Sequence, residues 1–126
     1  MIRALIVDDD ALVARTMGRL LSRHLEVVDA VCDAETAMRR LEIDPIDVVI
    51  TDFDLGDLSG GKTGLDLAEE VRRQFPQIRI IMVSGSYGAP RDDSGVIDAF
   101  FAKPVQVADL LERVRGIVQP ADHAAD

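Results

Sequence analysis

Val48-Val49-Ile50 is a short, β-branched, unbroken apolar run that opens after Asp47 and stops abruptly at Thr51-Asp52. A strand with one wet face alternates apolar and polar residues. An unbroken run belongs to a strand covered on both faces, as in a parallel sheet with helices above and below. The run also sets a carboxylate, Asp52, at the strand's C-terminal tip, where open parallel sheets bind their ligands. Ile2–Val7 is a second apolar strand, ending at Asp8-Asp9-Asp10, and Ile78–Val83 is a third, with Ser84 at its tip. Leu25–Val31, with partial alternation, suits an edge, and Ile97–Ala102 is a last strand meeting Lys103-Pro104.

Between the strands the apolar residues fall at helical spacing. Leu12, Val13, Thr16, Met17, Leu20 and Leu21 mark a first helix, with Asp10 as its N-cap. Asp33 caps a second helix carrying Ala37, Met38 and Leu41, which stops before Pro45. Thr63 and Asp66 stand at capping-box spacing before Leu65, Ala68, Val71 and Phe75, and Pro76 ends that helix. Val107, Leu110, Leu111, Val114 and Val118 mark the last helix. Ser86–Gly95 shows no helical pattern. Strands alternating with helices predict one doubly wound α/β domain over 1–119, with 120–126 a polar C-terminal tail.

Composition narrows the function. A chain of 126 residues allows one domain. A net charge of −9 argues against nucleic acid as direct partner, since phosphate backbones require a basic footprint. Seventeen of the 23 acidic residues are aspartate, a residue of caps, turns and metal sites. No run is long enough to span a membrane, and Ile2–Val7 is too short for a signal peptide. The single cysteine, Cys32, agrees with a reducing cytoplasm and reads as a small buried hydrophobe.

The strand tips collect Asp8, Asp9, Asp52, Ser84 and Lys103. If the first and third strands are neighbours, three carboxylates crowd one end of the sheet and call for a cation. Oxygen ligands with room for water suit Mg²⁺. Asp52 is then a nucleophile toward a phosphoryl group, with Lys103 pairing and Ser84 hydrogen-bonding to its oxygens.

Leu-Ile-Val-Asp-Asp-Asp (5–10), Val-Ile-Thr-Asp (49–52), Met-Val-Ser-Gly (82–85) and Phe-Phe-Ala-Lys-Pro (100–104), in this order, resemble the receiver domain of two-component response regulators. The resemblance covers about residues 2–118. It implies a flavodoxin-like five-stranded parallel sheet of order 2-1-3-4-5. It implies Mg²⁺ held by Asp8, Asp9, Asp52 and the backbone carbonyl of Asp54. It further implies phosphorylation of Asp52 by a phosphohistidine of a histidine kinase or histidine phosphotransferase, in a domain that is not an enzyme but assists its own phosphorylation and dephosphorylation. Ser84 and Phe100 become the switch pair, and Lys103-Pro104 is expected to be cis.

Two stretches depart from the family. Gly56-Asp-Leu-Ser-Gly-Gly-Lys-Thr63 is longer and richer in glycine than the usual connection, which carries a proline soon after the Leu55 position. The Ser84–Lys103 interval is short, so the fourth helix, between the fourth and fifth strands, is expected to be irregular: at most a turn near Arg91–Ser94 in a mobile segment reorganised by phosphorylation. That favours a monomer or weak dimer binding an unidentified downstream protein.

Gly56–Thr63 also matches G-x-x-x-x-G-K-[ST] literally, after a strand and before a helix, so the alternative is a small P-loop nucleotide hydrolase. The plainer reading is a long loop with Lys62 in solvent. Arg15, Arg19 and Arg23 repeat every four residues on the first helix, as a solvated face or as a docking stripe for an acidic kinase surface. His24 and His123 are too scattered for a metal site.

Overall fold

The computed structural model describes residues 1–56, 59–85 and 95–118. The irregular segment expected at 86–94 and the tail at 120–126 lie outside the described residues. The elements run β1 (Arg3–Val7), α1 (Ala11–Leu21), β2 (Glu26–Val31), α2 (Ala34–Ile43), β3 (Val48–Asp52), α3 (Gly64–Gln74), β4 (Arg79–Ser84), β5 (Ala99–Ala102) and α4 (Val107–Ile117). The five strands form one parallel sheet in the order β2-β1-β3-β4-β5, with β2 on an edge as its alternation suggests.

Successive residues of each central strand serve opposite layers, which is why the strands read as unbroken apolar runs. Ala4 and Ile6, Val48 and Ile50, and Ile81 and Val83 pack with Ala14 and Leu21 of α1 and with Leu110, Leu111 and Val114 of α4. Leu5 and Val7, Val49, and Ile80 pack with Ala37 and Leu41 of α2 and with Leu67, Ala68 and Val71 of α3.

The helix starts are set by local chemistry. The Asp10 carboxylate accepts from the amides of Leu12 and Val13, and Asp33 accepts from Thr36. In α3 the capping box is complete, Thr63 and Asp66 bonding reciprocally. The buried face of α1 differs from the expected stripe. Ala14, Gly18 and Leu21 face the sheet, whereas Leu12 and Leu20 are 66% and 45% exposed. Gly18 packs within van der Waals reach of Val27 and Ala30, so small residues bring the helix close to β2 and turn the larger ones outward.

The last strand is shorter than expected, because Asp98 stops it. The Asp98 carboxylate accepts from the Ile80 amide at 2.8 Å and from Arg72 at 2.7 Å. Arg72 also donates to the carbonyl of Val96 at 2.9 Å, fastening the end of α3 to the approach to β5.

Candidate functional site

Register brings the strand tips together. Val7 pairs with Thr51 across β1 and β3, so Asp8 leaves the sheet level with Asp52. Asp52 pairs with Val83, and Ser84 with Ala102, which carries Ser84 and Lys103 to the same end. From β1 the chain crosses through α1 to β2 on one side, and from β3 through α3 to β4 on the other, so the two crossovers leave these neighbouring tips in opposite senses. The β1 and β3 tips thus flank the switch point where doubly wound sheets open a crevice.

Carboxylate oxygens of Asp8, Asp9 and Asp52 lie within 4.8 Å of one another, the one such acidic group among the described residues. Asp8 and Asp52 are buried, at 6% and 8% exposure, while Asp9 opens to solvent. The Lys103 ammonium sits 3.1 Å from Asp8 Oδ2 and 3.4 Å from Asp52 Oδ2. The other Asp8 oxygen accepts from the Asp10 amide at 3.0 Å. Ser84 is buried at 1% exposure, with its carbonyl accepting from the Lys103 amide at 2.9 Å. Phe100 is half-buried in β5, and Asp54 is exposed just beyond β3. The Lys103–Pro104 bond is cis. Every site residue expected from the sequence therefore falls at this end of the sheet or on the strand leading to it.

The electrostatics follow from one cation facing three carboxylates. Burial pushes the Asp52 carboxyl above its ordinary value, Lys103 opposes that push, and the charge of Asp8 adds to it. Loss of surrounding water, and then the charge of Asp8, raise Asp9, although that residue as a whole remains exposed. Burial works against the charged form of Lys103, but the hydrogen bond to Asp8 and the charge of Asp52 outweigh it and leave the ammonium more firmly protonated. The oxygen-only donors of this cluster fit a hard cation such as Mg²⁺. Gly56 leaves room for that. It has φ +67°, and a Cβ there would stand 3.0 Å from Asp9 Oδ2, so the loop backbone comes up to the cluster without a side chain in the way.

The hydrogen bonding of the described loop residues gives the nucleotide-loop alternative no support. A phosphate cradle needs free amides pointing inward. Here the amides of Ser59, Lys62, Thr63 and Gly64 donate within the chain, to Gly56 O, Ser59 O, Asp66 Oδ2 and Phe53 O. Lys62 is exposed, in a groove between α2 and α3 with Glu35, Met38 and Glu70.

Two participants escaped the sequence reading. Ser59 is buried, its hydroxyl accepting from the Ala34 amide at 3.0 Å, and a serine in a glycine-rich loop gives no sign of that. Gly64 packs on the backbone of Asp52 so tightly that a Cβ would collide with the Asp52 carbonyl oxygen. Its place at the start of a capped helix was the available signal.

The family model of the response regulator receiver domain matches residues 4–115. The transcriptional regulatory protein CutR of Streptomyces coelicolor is 28% identical over 118 residues, covering 91% of this chain and 52% of that protein. The two-component response regulator PhoP of Pseudomonas aeruginosa is 29% identical over 120 residues, covering 93% of the chain and 52% of that protein. The chain thus spans about half the length of these curated relatives. Among solved structures, a CheY-like receiver domain protein from Methanospirillum hungatei superposes with a TM-score of 0.78 at 28% identity, covering 92% of both chains. The response regulator TrrA of Thermotoga maritima, in complex with Mg²⁺ and BeF, gives 0.76 at 27% identity, covering 92% of this chain and 98% of that one.

Proposed function

The chain belongs to the response regulator receiver family of two-component signalling, and from that membership we propose that Asp52 accepts a phosphoryl group from a phosphohistidine on a histidine kinase or histidine phosphotransferase. The observation that carries this reading is the Asp52 carboxylate at the tip of β3, within one cluster with Asp8 and Asp9 and 3.4 Å from Lys103.

In the transfer an Asp52 oxygen forms a bond to phosphorus while the bond from phosphorus to the histidine nitrogen breaks, and the departing imidazole keeps the electron pair. Asp52 must be ionised to attack. Burial resists that and Lys103 favours it, so the lysine both holds the nucleophile charged and stands ready to pair with the incoming oxygens. The Ser84 hydroxyl, at the next strand tip, supplies a donor for the same phosphoryl group. Asp8, Asp9, Asp52 and the Asp54 carbonyl would hold Mg²⁺, which when bound would neutralise charge on the transferring group. The same set assists hydrolysis of the product, and movement of Ser84 with Phe100 reports phosphorylation to a downstream protein.

The test is intact-mass and peptide mapping after incubation with a small phosphodonor, with and without Mg²⁺. One phosphoryl group should appear on Asp52, depend on Mg²⁺ and vanish in Asp52→Ala. Undiminished phosphorylation of Asp52→Ala at another residue would overturn the assignment.

A further inference from the structure

The β3–α3 connection is longer and richer in glycine than the family pattern, and the structure ties it to the site through contacts outside the acidic cluster. α2 begins at Ala34. The first amides of a helix have no partner within it, and the Ala34 amide finds its acceptor in Ser59 Oγ at 3.0 Å. Ser59 in turn donates its own amide to the Gly56 carbonyl at 3.3 Å and accepts from the Lys62 amide at 3.1 Å. Gly56 lies against Asp9, the carboxylate most open to solvent of the three. A continuous path therefore runs from the N-terminus of α2, through Ser59 and Gly56, to Asp9.

We propose that Ser59 is a positioning residue of the acidic site: by holding the N-terminus of α2, its hydroxyl keeps Gly56 seated against Asp9 and so sets how tightly the site binds Mg²⁺. The inference rests on the function proposed above. Ser59 touches neither the metal nor the phosphoryl group and acts through Gly56. Without its hydroxyl the loop loses its attachment to α2, Gly56 is free to lift, and Asp9 and the Asp54 carbonyl two residues before Gly56 lose their fixed geometry. Groups that orient ligands from outside the coordination shell typically change metal affinity about 10–100-fold, and one acting through a neighbour belongs at the lower end.

Coupling of this kind is reciprocal. If the Ser59–Ala34 bond strengthens Mg²⁺ binding about tenfold, Mg²⁺ must strengthen that bond by the same factor. The Ala34 amide then becomes a reporter of the metal site from the far side of the loop, and α2 a route by which the state of the site reaches the α2–α3 face.

The experiment is calorimetric titration of the full chain with Mg²⁺ alone, no phosphodonor present, beside amide exchange at Ala34. Ser59→Ala removes the acceptor. Ser59→Thr keeps a hydroxyl to accept from the Ala34 amide. Ser59→Ala should bind Mg²⁺ about tenfold more weakly and Ser59→Thr close to the wild type, and Mg²⁺ should slow Ala34 exchange in the wild type but not in Ser59→Ala. If the wild type binds Mg²⁺ and Ser59→Ala binds it equally well, or Ser59→Thr folds and binds it as weakly as Ser59→Ala, the inference falls while the proposed function stands. If the wild type binds no Mg²⁺, both fall.

Discussion

Asp9 is unfavourable to the metal-free fold at neutral pH, although the proposed function makes it a metal ligand. Its carboxyl and that of Asp52 are both held above the ordinary 3.8 in the folded chain. The metal-free fold therefore binds more protons than the unfolded chain between 3.8 and the raised values, and stability from these two groups falls as pH rises through that window. Lys103 behaves oppositely. Raised above 10.5, it contributes stability that is complete below that value and lost only as pH climbs through its folded-state titration. At neutral pH the acidic pair is thus a net strain that a bound divalent cation would relieve. Asp9→Asn should leave the metal-free protein at pH 7 slightly more stable than the wild type, a small effect because solvent screens this exposed carboxylate. It should also remove most of the stabilisation that added Mg²⁺ gives the wild type. Thermal melts from neutral pH down into the carboxylate range, with and without Mg²⁺, check both halves. A variant less stable than wild type without metal would show that Asp9 is held by partners rather than strained by them.

At the scale of elements, the glycine that opens α3 is closely packed and the one near the end of α4 is not. Gly64 opens α3 directly on the backbone of Asp52, and any Cβ must push either the helix or the β3 tip away. Gly116 lies near the end of α4 with nothing within 4 Å of where a Cβ would stand. The same substitution should therefore have opposite signs. Gly64→Ala is expected to cost about 3 kcal/mol by overpacking, while Gly116→Ala should gain about 0.5 kcal/mol through helix propensity and a more restricted unfolded chain. Urea unfolding midpoints of the two variants decide it, and a small loss at Gly64 would mean the contact relaxes freely. The elements also show what the sequence could and could not reveal. Asp8, Asp52 and Lys103 were legible because a buried parallel strand advertises itself as an apolar run, and its tip is wherever the run stops. The caps Asp10, Asp33 and Thr63 were legible because their bonds are local, within three residues. The buried face of α1 was misread because Ala14 and Gly18, too small to register as an apolar stripe, are the residues that let the helix approach β2. The Arg72–Asp98–Val96 fastening and the Ser59–Ala34 bond were invisible, since each joins positions 24 to 26 residues apart that no periodicity relates.

Across the whole molecule the charge is unevenly placed, and that bears on how a partner approaches. The chain carries −9 overall, yet α1 and the turn after it present Arg15, Arg19 and Arg23 to solvent. Leu12 and Leu20 are exposed on the same helix, and Val13 stands at 36% beside them. Asp10, which caps α1, follows directly on Asp8 and Asp9, so whatever settles on this helix reaches the acidic site. If the acidic site takes a phosphoryl group as proposed, a basic stripe beside exposed leucines at its mouth suits an acidic, partly apolar phosphodonor surface, and the two components should fail differently. Charges at the rim of an interface govern encounter and are screened by salt, with a Debye length of about 8 Å at physiological ionic strength. Apolar side chains buried on docking govern how long the complex lasts. Arg15→Glu with Arg19→Glu should slow association with the cognate kinase or phosphotransferase about tenfold at low salt, with the deficit shrinking as salt is added. Leu12→Ser should leave association nearly unchanged and shorten the complex's lifetime at every salt concentration. Neither change touches Asp52, so phosphorylation by a small donor should proceed at the wild-type rate in both. Stopped-flow association and dissociation across a salt series, with small-donor phosphorylation as control, separate the cases. A loss in the arginine variant that is indifferent to salt, or one shared by the small donor, would mean that α1 acts through the fold or the acidic site and does not steer a partner.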